Sequence, residues 1–239
     1  MKPKDNADFL STLSVNPLNP RSMRIIRRIL AALMVAIVCY VAPLWGEIAL
    51  LFDIRMLIII GACLTVLLTQ PEITLKEARI AARSDRYSVL LILLSAVTCQ
   101  IMAVLEWRFF RQNASPLAIM TCSVVGNVLL IGGITFRVSA IRVLKRSFTS
   151  TVQVTEEQQL VTSGPYKRLR HPSYLGAYAA YIGAALLLNA YISAAAVAIV
   201  MFHVYRFRMG IEEAELIRSF GDHYLRYLLA TKRMIPHIY

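Results

Sequence analysis

Long apolar runs separated by short polar segments dominate this sequence. The segments 29–46, 87–105 and 116–136 contain no charged residue. Each is long enough for an α-helix to cross the hydrocarbon core of a bilayer, which is about 30 Å thick. The pattern therefore predicts a membrane-spanning helix in each of the three segments.

Two further apolar regions are less regular. Residues 48–69 are interrupted by Asp53 and Arg55, which we expect to lie near an interface and to pair with each other. Residues 172–202 are uncharged but too long for one ordinary span, and Asn189 is expected to divide them into two short spans joined by a tight turn. These regions raise the predicted number of spans to about six.

The C-terminal segment combines helical spacing with many charged residues. We expect its helix to end near Leu229 and to lie at the membrane interface, because its apolar residues form one stripe. The stripe consists of Ile211, Leu216, Ile217 and Phe220. The predicted fold is thus an all-α integral membrane protein with about six transmembrane helices, a pocket on the cytoplasmic side and a C-terminal interfacial helix.

Composition and charge agree with this fold. The chain is 57% hydrophobic and 17% charged, a balance typical of membrane proteins. The net charge of +12 does not indicate nucleic-acid binding, because the basic residues flank apolar runs. Every Lys and Arg except Arg55, Arg108 and Arg111 lies in residues 1–28, 72–86, 137–170 or 206–233. With six spans these segments share one face, so we expect both termini and the 137–170 segment to be cytoplasmic.

Small residues within the spans indicate packing rather than chemistry. Gly126, Gly132 and Gly133 lie in the predicted fourth span, where glycine allows helices to approach closely. The four cysteines also lie inside apolar runs, without the spacing of a metal site or a disulfide framework. They are Cys39, Cys63, Cys99 and Cys122.

The most polar, turn-rich stretch is residues 160–176, LVTSGPYKRLRHPSYLG. Gly164 and Pro165 predict a turn, and Pro172 suits the first turn of a new helix. A loop of donors leading into an apolar helix is typical of a binding site, although a basic loop flanking a membrane helix has a similar composition. The donors are Lys167, Arg168, Arg170, His171, Ser173 and Tyr174.

A second polar cluster follows the last apolar run. Arg208 and Glu212 are four residues apart on a predicted helix and share a face, and Glu213 and Glu215 follow. Neighbouring carboxylates next to a membrane span require cations or donors close by. The hairpin of the last two spans would return this cluster to the face that carries His171. We therefore expect one pocket, suited to a ligand with hydroxyls, a carboxylate and a positive centre.

The two clusters resemble the motifs of the isoprenylcysteine carboxyl methyltransferase family. The first motif is Leu160-Val161-Thr162-Ser163-Gly164-Pro165-Tyr166 with Arg170-His171-Pro172-Ser173-Tyr174-x-Gly176. The second is Arg208-x-x-x-Glu212-Glu213-x-x-Leu216, followed by Phe220-Gly221-x-x-Tyr224-x-x-Tyr227 and Pro236. The resemblance covers about residues 126–236. It implies an integral membrane enzyme that uses S-adenosylmethionine. From the residue pattern and the extent of the resemblance we expect a polar tail at 1–23, transmembrane helices at 24–112 and a methyltransferase core at 113–239.

The resemblance also implies roles for individual residues. Arg208, Glu212 and Glu213 would be the catalytic residues, and Arg208 would contact the methyl acceptor. Gln158 and Gln159 stand where the family often has histidine, and Gln153 lies closer to the first motif than in the eukaryotic members. Cofactor contacts would come from Gln153, Gln158, Gln159, Leu160, Val161, Tyr166, His171, Pro172, Ser173, Tyr174 and Glu212.

Methyl transfer from a sulfonium is an in-line displacement, which depends on positioning and on exclusion of water. A carboxylate acceptor needs no general base and could be held by Arg208. We therefore expect carboxyl O-methylation of a lipophilic, isoprenylcysteine-like acceptor that enters from the bilayer. The alternatives are N-methylation of a phospholipid such as phosphatidylethanolamine, an NADPH-dependent sterol-type reductase, and a membrane protein without catalytic activity.

Overall fold

The computed structural model describes residues 20–69, 87–110, 115–144 and 160–235. Within these ranges the secondary structure is helical, and we number the α-helices in chain order. They are α1 (Pro20–Ala36), α2 (Ile54–Thr69), α3 (Ser88–Phe110), α4 (Pro116–Leu144), α5 (Pro172–Leu187), α6 (Tyr191–Phe220) and α7 (Asp222–Ala230). Short helical turns lie at Ile37–Val41, Ala42–Leu44, Ile48–Phe52 and Gly164–Lys167.

Four stretches are long and apolar enough to cross a membrane. They are Ile25–Leu44, Ser88–Phe110, Pro116–Leu144 and Tyr191–Phe220. The first of them combines most of α1 with the two short turns that follow it. The α2 and α5 helices are shorter, at 16 residues each. This architecture confirms an all-α integral membrane protein. The count of six spans stays a prediction.

Side-chain contacts define two ends of the helix bundle. At the far end, Arg108 of α3 donates to the carbonyl oxygen of Pro43 at 2.7 Å and pairs with Glu47 at 3.3 Å. At the other end, the first residue of α3, Ser88, contacts Arg208 of α6. We call the latter the site end. The long helices thus run between two ends, with the chemically interesting residues gathered at one of them.

Glycine allows α4 and α5 to pack closely against each other. A Cβ placed on Gly133 would lie 2.5 Å from the Gly176 carbonyl oxygen, and one placed on Gly126 would overlap the backbone at Leu187. A Cβ on Gly132 would meet nothing within 4 Å. The prediction of close glycine packing is therefore confirmed for Gly126 and Gly133, whereas Gly132 was assigned wrongly because it faces away from α5.

The hairpin between α5 and α6 is as tight as predicted, but α6, with 30 residues, is not the short span that was expected. Asn189 adopts the left-handed backbone conformation at φ = 58°, which reverses the chain within three residues. Glu106 of α3 accepts hydrogen bonds from the free backbone N–H groups of Ile192 at 3.0 Å and Ser193 at 2.7 Å. A carboxylate satisfies the first turn of a helix and interacts favourably with its dipole. Glu106 therefore fixes where α6 begins.

The structure decides two further predictions, one about an ion pair and one about the C-terminal segment. The predicted pair of Asp53 and Arg55 is confirmed, with Arg55 Nη2 lying 2.9 Å from Asp53 Oδ2. The C-terminal segment is not one separate interfacial helix. Instead α6 continues without a break to Phe220, and Gly221, at φ = 52°, starts the short helix α7. The apolar stripe at residues 211–220 belongs to the end of α6.

Candidate functional site

The two polar clusters of the sequence meet at the site end. His171, the last residue before α5, lies between two carboxylates of α6: its Nδ1 is 3.4 Å from Glu212 Oε2, and its Nε2 is 3.2 Å from Glu213 Oε1. About forty residues of chain separate these groups, and the α5–α6 hairpin brings them together. We call this group, with Arg170, Arg208 and Arg233, the charge cluster.

Glu213 is enclosed by cations. Arg170 Nε donates to its Oε1 at 2.9 Å, and Arg233 donates to its Oε2 through both Nε, at 2.9 Å, and Nη2. Its side chain is only 6% exposed. Because both oxygens already accept hydrogen bonds from the protein, we assign Glu213 to holding the first motif and the C-terminal segment against α6.

Glu212 is more exposed than Glu213. Its Oε1 accepts hydrogen bonds from Tyr174 Oη at 2.6 Å and from Arg208 Nε at 2.9 Å, yet its side chain is 21% exposed. Arg208 itself is buried, so it does not extend toward the interface. Glu212 is thus the accessible carboxylate of the charge cluster, held in place by one tyrosine and one arginine.

Ser88 is a residue of this site that the sequence interpretation missed. Its hydroxyl accepts a hydrogen bond from Arg208 Nη1 at 2.8 Å, across 120 positions of sequence, and the serine is buried. A serine at the start of an apolar run carries no signal of its own. Only the packing of α3 against α6 shows that the N-terminal half contributes to the site.

The C-terminal segment completes the site by pairing with the first motif. Arg170 N donates to the Lys232 carbonyl at 2.8 Å, and His171 N donates to the Arg233 carbonyl at 2.9 Å. Tyr227 of α7 also donates to the Tyr166 carbonyl at 2.7 Å. These backbone contacts place Arg233 beside Glu213 and give the loop a fixed shape.

Comparison with known proteins shows what this part of the chain is similar to. The model of the isoprenylcysteine carboxyl methyltransferase family matches residues 125–218, which include the first motif and the part of the second motif from Arg208 to Leu216. Residues 125–218 are thus similar to this family. The protein-S-isoprenylcysteine O-methyltransferase A of Arabidopsis thaliana is 34% identical over 115 residues, 47% of this chain and 58% of the relative. The human protein-S-isoprenylcysteine O-methyltransferase is 33% identical over 118 residues, 48% of this chain and 42% of the relative.

A solved structure is similar over a longer part of the chain. The structure of the eukaryotic intramembrane Ras methyltransferase, isoprenylcysteine carboxyl methyltransferase, covers 88% of this chain with a TM-score of 0.59 and 25% identity. The match covers 75% of that chain. By contrast, this chain spans about three fifths or less of the length of the curated relatives above. The similarity in fold therefore extends beyond the methyltransferase motifs into the N-terminal helices.

The family motif residues divide into three groups in space. His171, Arg208, Glu212 and Glu213 lie together in the charge cluster, and Tyr174 donates a hydrogen bond to Glu212. Ser173 and Tyr166 are buried next to it, and Pro172 begins α5. Leu160 and Val161 are half-buried at the start of the described loop. Gln153, Gln158 and Gln159 lie outside the described residues, so their cofactor contacts stay predictions.

His171 carries a shifted pKa. Burial alone would lower the pKa of the imidazole, but hydrogen bonds to Glu212 and Glu213 outweigh burial and raise it above the usual range. The group is therefore more readily protonated in the folded protein than in the unfolded chain. The imidazolium then donates through both ring nitrogens, one to each carboxylate.

We expect His171→Gln to destabilise the protein in a pH-dependent way. Since the folded pKa is raised, the charge of His171 contributes its full stability below the unfolded value of about 6.5 and loses it as pH rises through the folded pKa. The difference in melting temperature between wild type and H171Q should be largest near pH 6 and shrink toward alkaline pH. Thermal unfolding in detergent across this range measures it.

Arg226→Gln is the control for this experiment, because Arg226 is an exposed charge of α7 outside the charge cluster. A difference between wild type and H171Q that stays constant with pH would show that folding does not raise the pKa of His171.

Proposed function

We propose that the chain is an S-adenosylmethionine-dependent methyltransferase that O-methylates the carboxylate of a lipophilic, isoprenylcysteine-like acceptor. The observation that carries this proposal is the charge cluster, in which Glu212 is both fixed by Tyr174 and Arg208 and accessible. The family whose model matches residues 125–218, and relatives named protein-S-isoprenylcysteine O-methyltransferase, support it.

The residues present fit a cationic cofactor with hydroxyl and carboxylate groups. Glu212 offers an accessible carboxylate, and the buried hydroxyl of Tyr166 has no hydrogen-bond partner. Buried polar atoms are normally paired, so an unpaired hydroxyl beside an accessible carboxylate is typical of a ligand site. When bound, S-adenosylmethionine supplies an activated methyl group. Glu212, His171 and Tyr174 would hold the cofactor, together with backbone of the Leu160–Val161 segment.

The remaining residues of the site are proposed to position the two ligands. Arg208 presents a guanidinium whose orientation is set by Glu212, Tyr174 and Ser88, and we propose that it faces the acceptor carboxylate. A carboxylate is already ionised at neutral pH, so the chain does not need a general base. Glu213 keeps the loop, the C-terminal segment and α6 in register, so that both ligands meet in one orientation.

The acceptor is proposed to reach the site from the lipid, since the bundle exposes many large apolar side chains, for example Leu94 of α3 and Val128 of α4. Cofactor entry is proposed from the cytoplasmic side. The four basic segments support this sidedness, because Arg55 and Arg108 lie at the far end of the bundle and the charge cluster at the other.

Transfer of radiolabelled methyl groups to a prenylated cysteine, followed by mild base, tests the proposed activity. The proposal expects labelled ester that mild base releases. Label that resists base and resides on a phospholipid headgroup would instead show N-methylation. Isothermal titration with S-adenosylmethionine and with NADPH separates the methyltransferase from a reductase, and binding of neither would overturn the proposal.

Glu212→Gln should weaken S-adenosylmethionine binding about ten- to a hundredfold. The substitution removes a charge but little volume, and one hydrogen bond to a charged group contributes roughly 1.5–3 kcal/mol. Titration of purified protein measures the affinity. Glu215→Gln is the matched control, since Glu215 lies one turn further along α6 and pairs with exposed Arg218 at 2.7 Å. Equal affinities in E212Q and E215Q would show that Glu212 does not contact the cofactor.

A further inference from the structure

The outer face of α7 carries two exposed leucines. Leu225 and Leu229 are four residues apart, so they share one face of the helix. Leu225 is 43% exposed and Leu229 is 87% exposed. We call this pair the leucine ridge. Removing a leucine side chain from water is favourable by about 1.5–3 kcal/mol, so an apolar surface that covers the ridge would be bound.

The described surface of the site end is strongly basic. Within residues 160–235, six basic side chains are exposed, whereas Asp222 is the one acidic side chain that is equally exposed. The basic residues are Lys167, Arg168, Arg206, Arg218, Arg226 and Lys232. Arg226 lies one turn before Leu229, on the same side of α7. An apolar face bordered by basic residues is typical of a helix that lies in the interface of an anionic membrane.

The α7 helix leads the chain back toward the membrane-spanning bundle. Gly221, at φ = 52°, breaks the chain direction at the end of α6. After α7, Arg233 pairs with Glu213, which lies about two turns before that end. Ile235 then packs against the buried apolar cluster shared by α5 and α6. The leucine ridge therefore lies on the segment that returns from the tip of α6 to the bundle.

The inner face of α7 holds the loop that carries the first motif. Tyr227 Oη donates to the Tyr166 carbonyl oxygen at 2.7 Å and lies 3.3 Å from the Leu169 carbonyl oxygen. Arg170 Nη1 donates to the Leu228 carbonyl oxygen at 3.0 Å. Because α7 has only nine residues, it depends on its contacts for stability. A surface that binds the outer face would therefore also stabilise the contacts of the inner face.

We propose that α7 docks on the surface of an anionic lipid leaflet and that docking increases the affinity of the charge-cluster pocket for its cofactor. The leucine ridge enters the boundary between headgroups and acyl chains, and Arg226 lies beside the lipid phosphates. Docking stabilises α7, which in turn fixes the loop of the first motif. The inference rests on the proposed function for the identity of the cofactor. Since coupling between two sites is reciprocal, cofactor binding should also strengthen docking.

Nanodiscs of phosphatidylcholine, with and without phosphatidylglycerol, test the proposal with the full chain. In each nanodisc we would measure hydrogen–deuterium exchange of the α7 backbone amides and the affinity for S-adenosylmethionine. With phosphatidylglycerol, α7 should exchange more slowly, and the affinity should be higher by about fivefold or more, the low end of couplings between two sites. High salt should reduce both differences, because it screens interactions between exposed charges.

Two variants separate the apolar and the charged part of the interaction. Leu225→Ser combined with Leu229→Ser removes the ridge and should abolish both effects of phosphatidylglycerol. Arg226→Gln removes one basic residue and should weaken the preference for the anionic leaflet by about fivefold. Both variants keep the inner face of α7, so their melting temperatures in detergent should match wild type. Leu117→Ser is the matched control, since Leu117 is a 70% exposed leucine at the start of α4, and it should keep both effects.

Equal exchange of α7 and equal cofactor affinity in the two nanodiscs would overturn the proposal, as would effects of phosphatidylglycerol that persist without the ridge. Slower exchange with unchanged affinity would overturn the regulation and leave α7 as a lipid anchor. Slow exchange that requires two copies per nanodisc, whatever the lipid charge, would show that a second copy covers the ridge. Failure of the proposed function is a separate result, because S-adenosylmethionine would then bind in neither nanodisc while exchange of α7 still reports docking.

Discussion

Replacing Gly133 with alanine is expected to destabilise the folded protein strongly. A Cβ at this position would lie 2.5 Å from the Gly176 carbonyl oxygen and 2.7 Å from the Ala180 nitrogen. Both are backbone atoms of α5, so the helices must separate to make room. Forcing extra volume into a packed contact costs about 1–3 kcal/mol. Thermal unfolding of the purified protein in detergent measures the loss.

Gly132→Ala is the matched control, because the neighbouring residue has nothing within 4 Å of its added Cβ. Alanine there should leave the melting temperature unchanged or raise it slightly, since it favours helix over glycine. G133A should also reduce ligand binding, because Arg137 and Ser173 sit on the two helices that would separate. Equal stability of G132A and G133A would show that α4 and α5 do not pack through these glycines.

Arg208→Lys is expected to remove most methyl-transfer activity. Arg208 Nε reaches Glu212 Oε1 at 2.9 Å and Tyr174 Oη at 3.3 Å, while Nη1 reaches Ser88 Oγ at 2.8 Å. A lysine ammonium is a single point charge and cannot span the three partners. Loss of one or two of these contacts, at roughly 1.5–3 kcal/mol each, should lower kcat/KM at least tenfold. Steady-state kinetics with a prenylcysteine acceptor measures it.

The direction of the kinetic change tests the assignment of Arg208. If it faces the acceptor, KM for the acceptor should rise or kcat should fall, whereas affinity for S-adenosylmethionine should change less than in E212Q. Arg206→Lys, an exposed position two residues earlier on the same helix, should retain activity. Full activity of R208K, with base-stable label on lipid, would favour N-methylation of an amine acceptor.

The sequence alone determined the class of fold and predicted that most residues of the charge cluster would lie in one place. Long uncharged runs can only be stable as buried or lipid-facing helices, so composition and length sufficed to predict an all-α membrane protein. The helix hairpin at Asn189 and the pair of Asp53 and Arg55 are local features. They depend on residues close in sequence, and both were predicted correctly.

The two motifs also predicted the location of the candidate site from the sequence. The short hairpin leaves little freedom in how residues 171 and 212 can be placed, so their proximity followed from counting residues. The spacing of Arg208 and Glu212 likewise fixed them on one face of a helix, where they pair at 2.9 Å. The sequence did not predict the difference between Glu213 and Glu212. Glu213 is enclosed by Arg170 and Arg233 rather than accessible.

Only the tertiary structure decided which residues from distant segments complete the site. Ser88 reaches Arg208 across 120 positions, and Arg233 reaches Glu213 because the C-terminal segment pairs with the loop before α5. Arg137 looked like one of many basic residues flanking a span, yet it is buried without a carboxylate partner in the described residues. Such contacts depend on which helix faces pack together. The local pattern of apolar and polar residues does not show how each helix is rotated about its own axis.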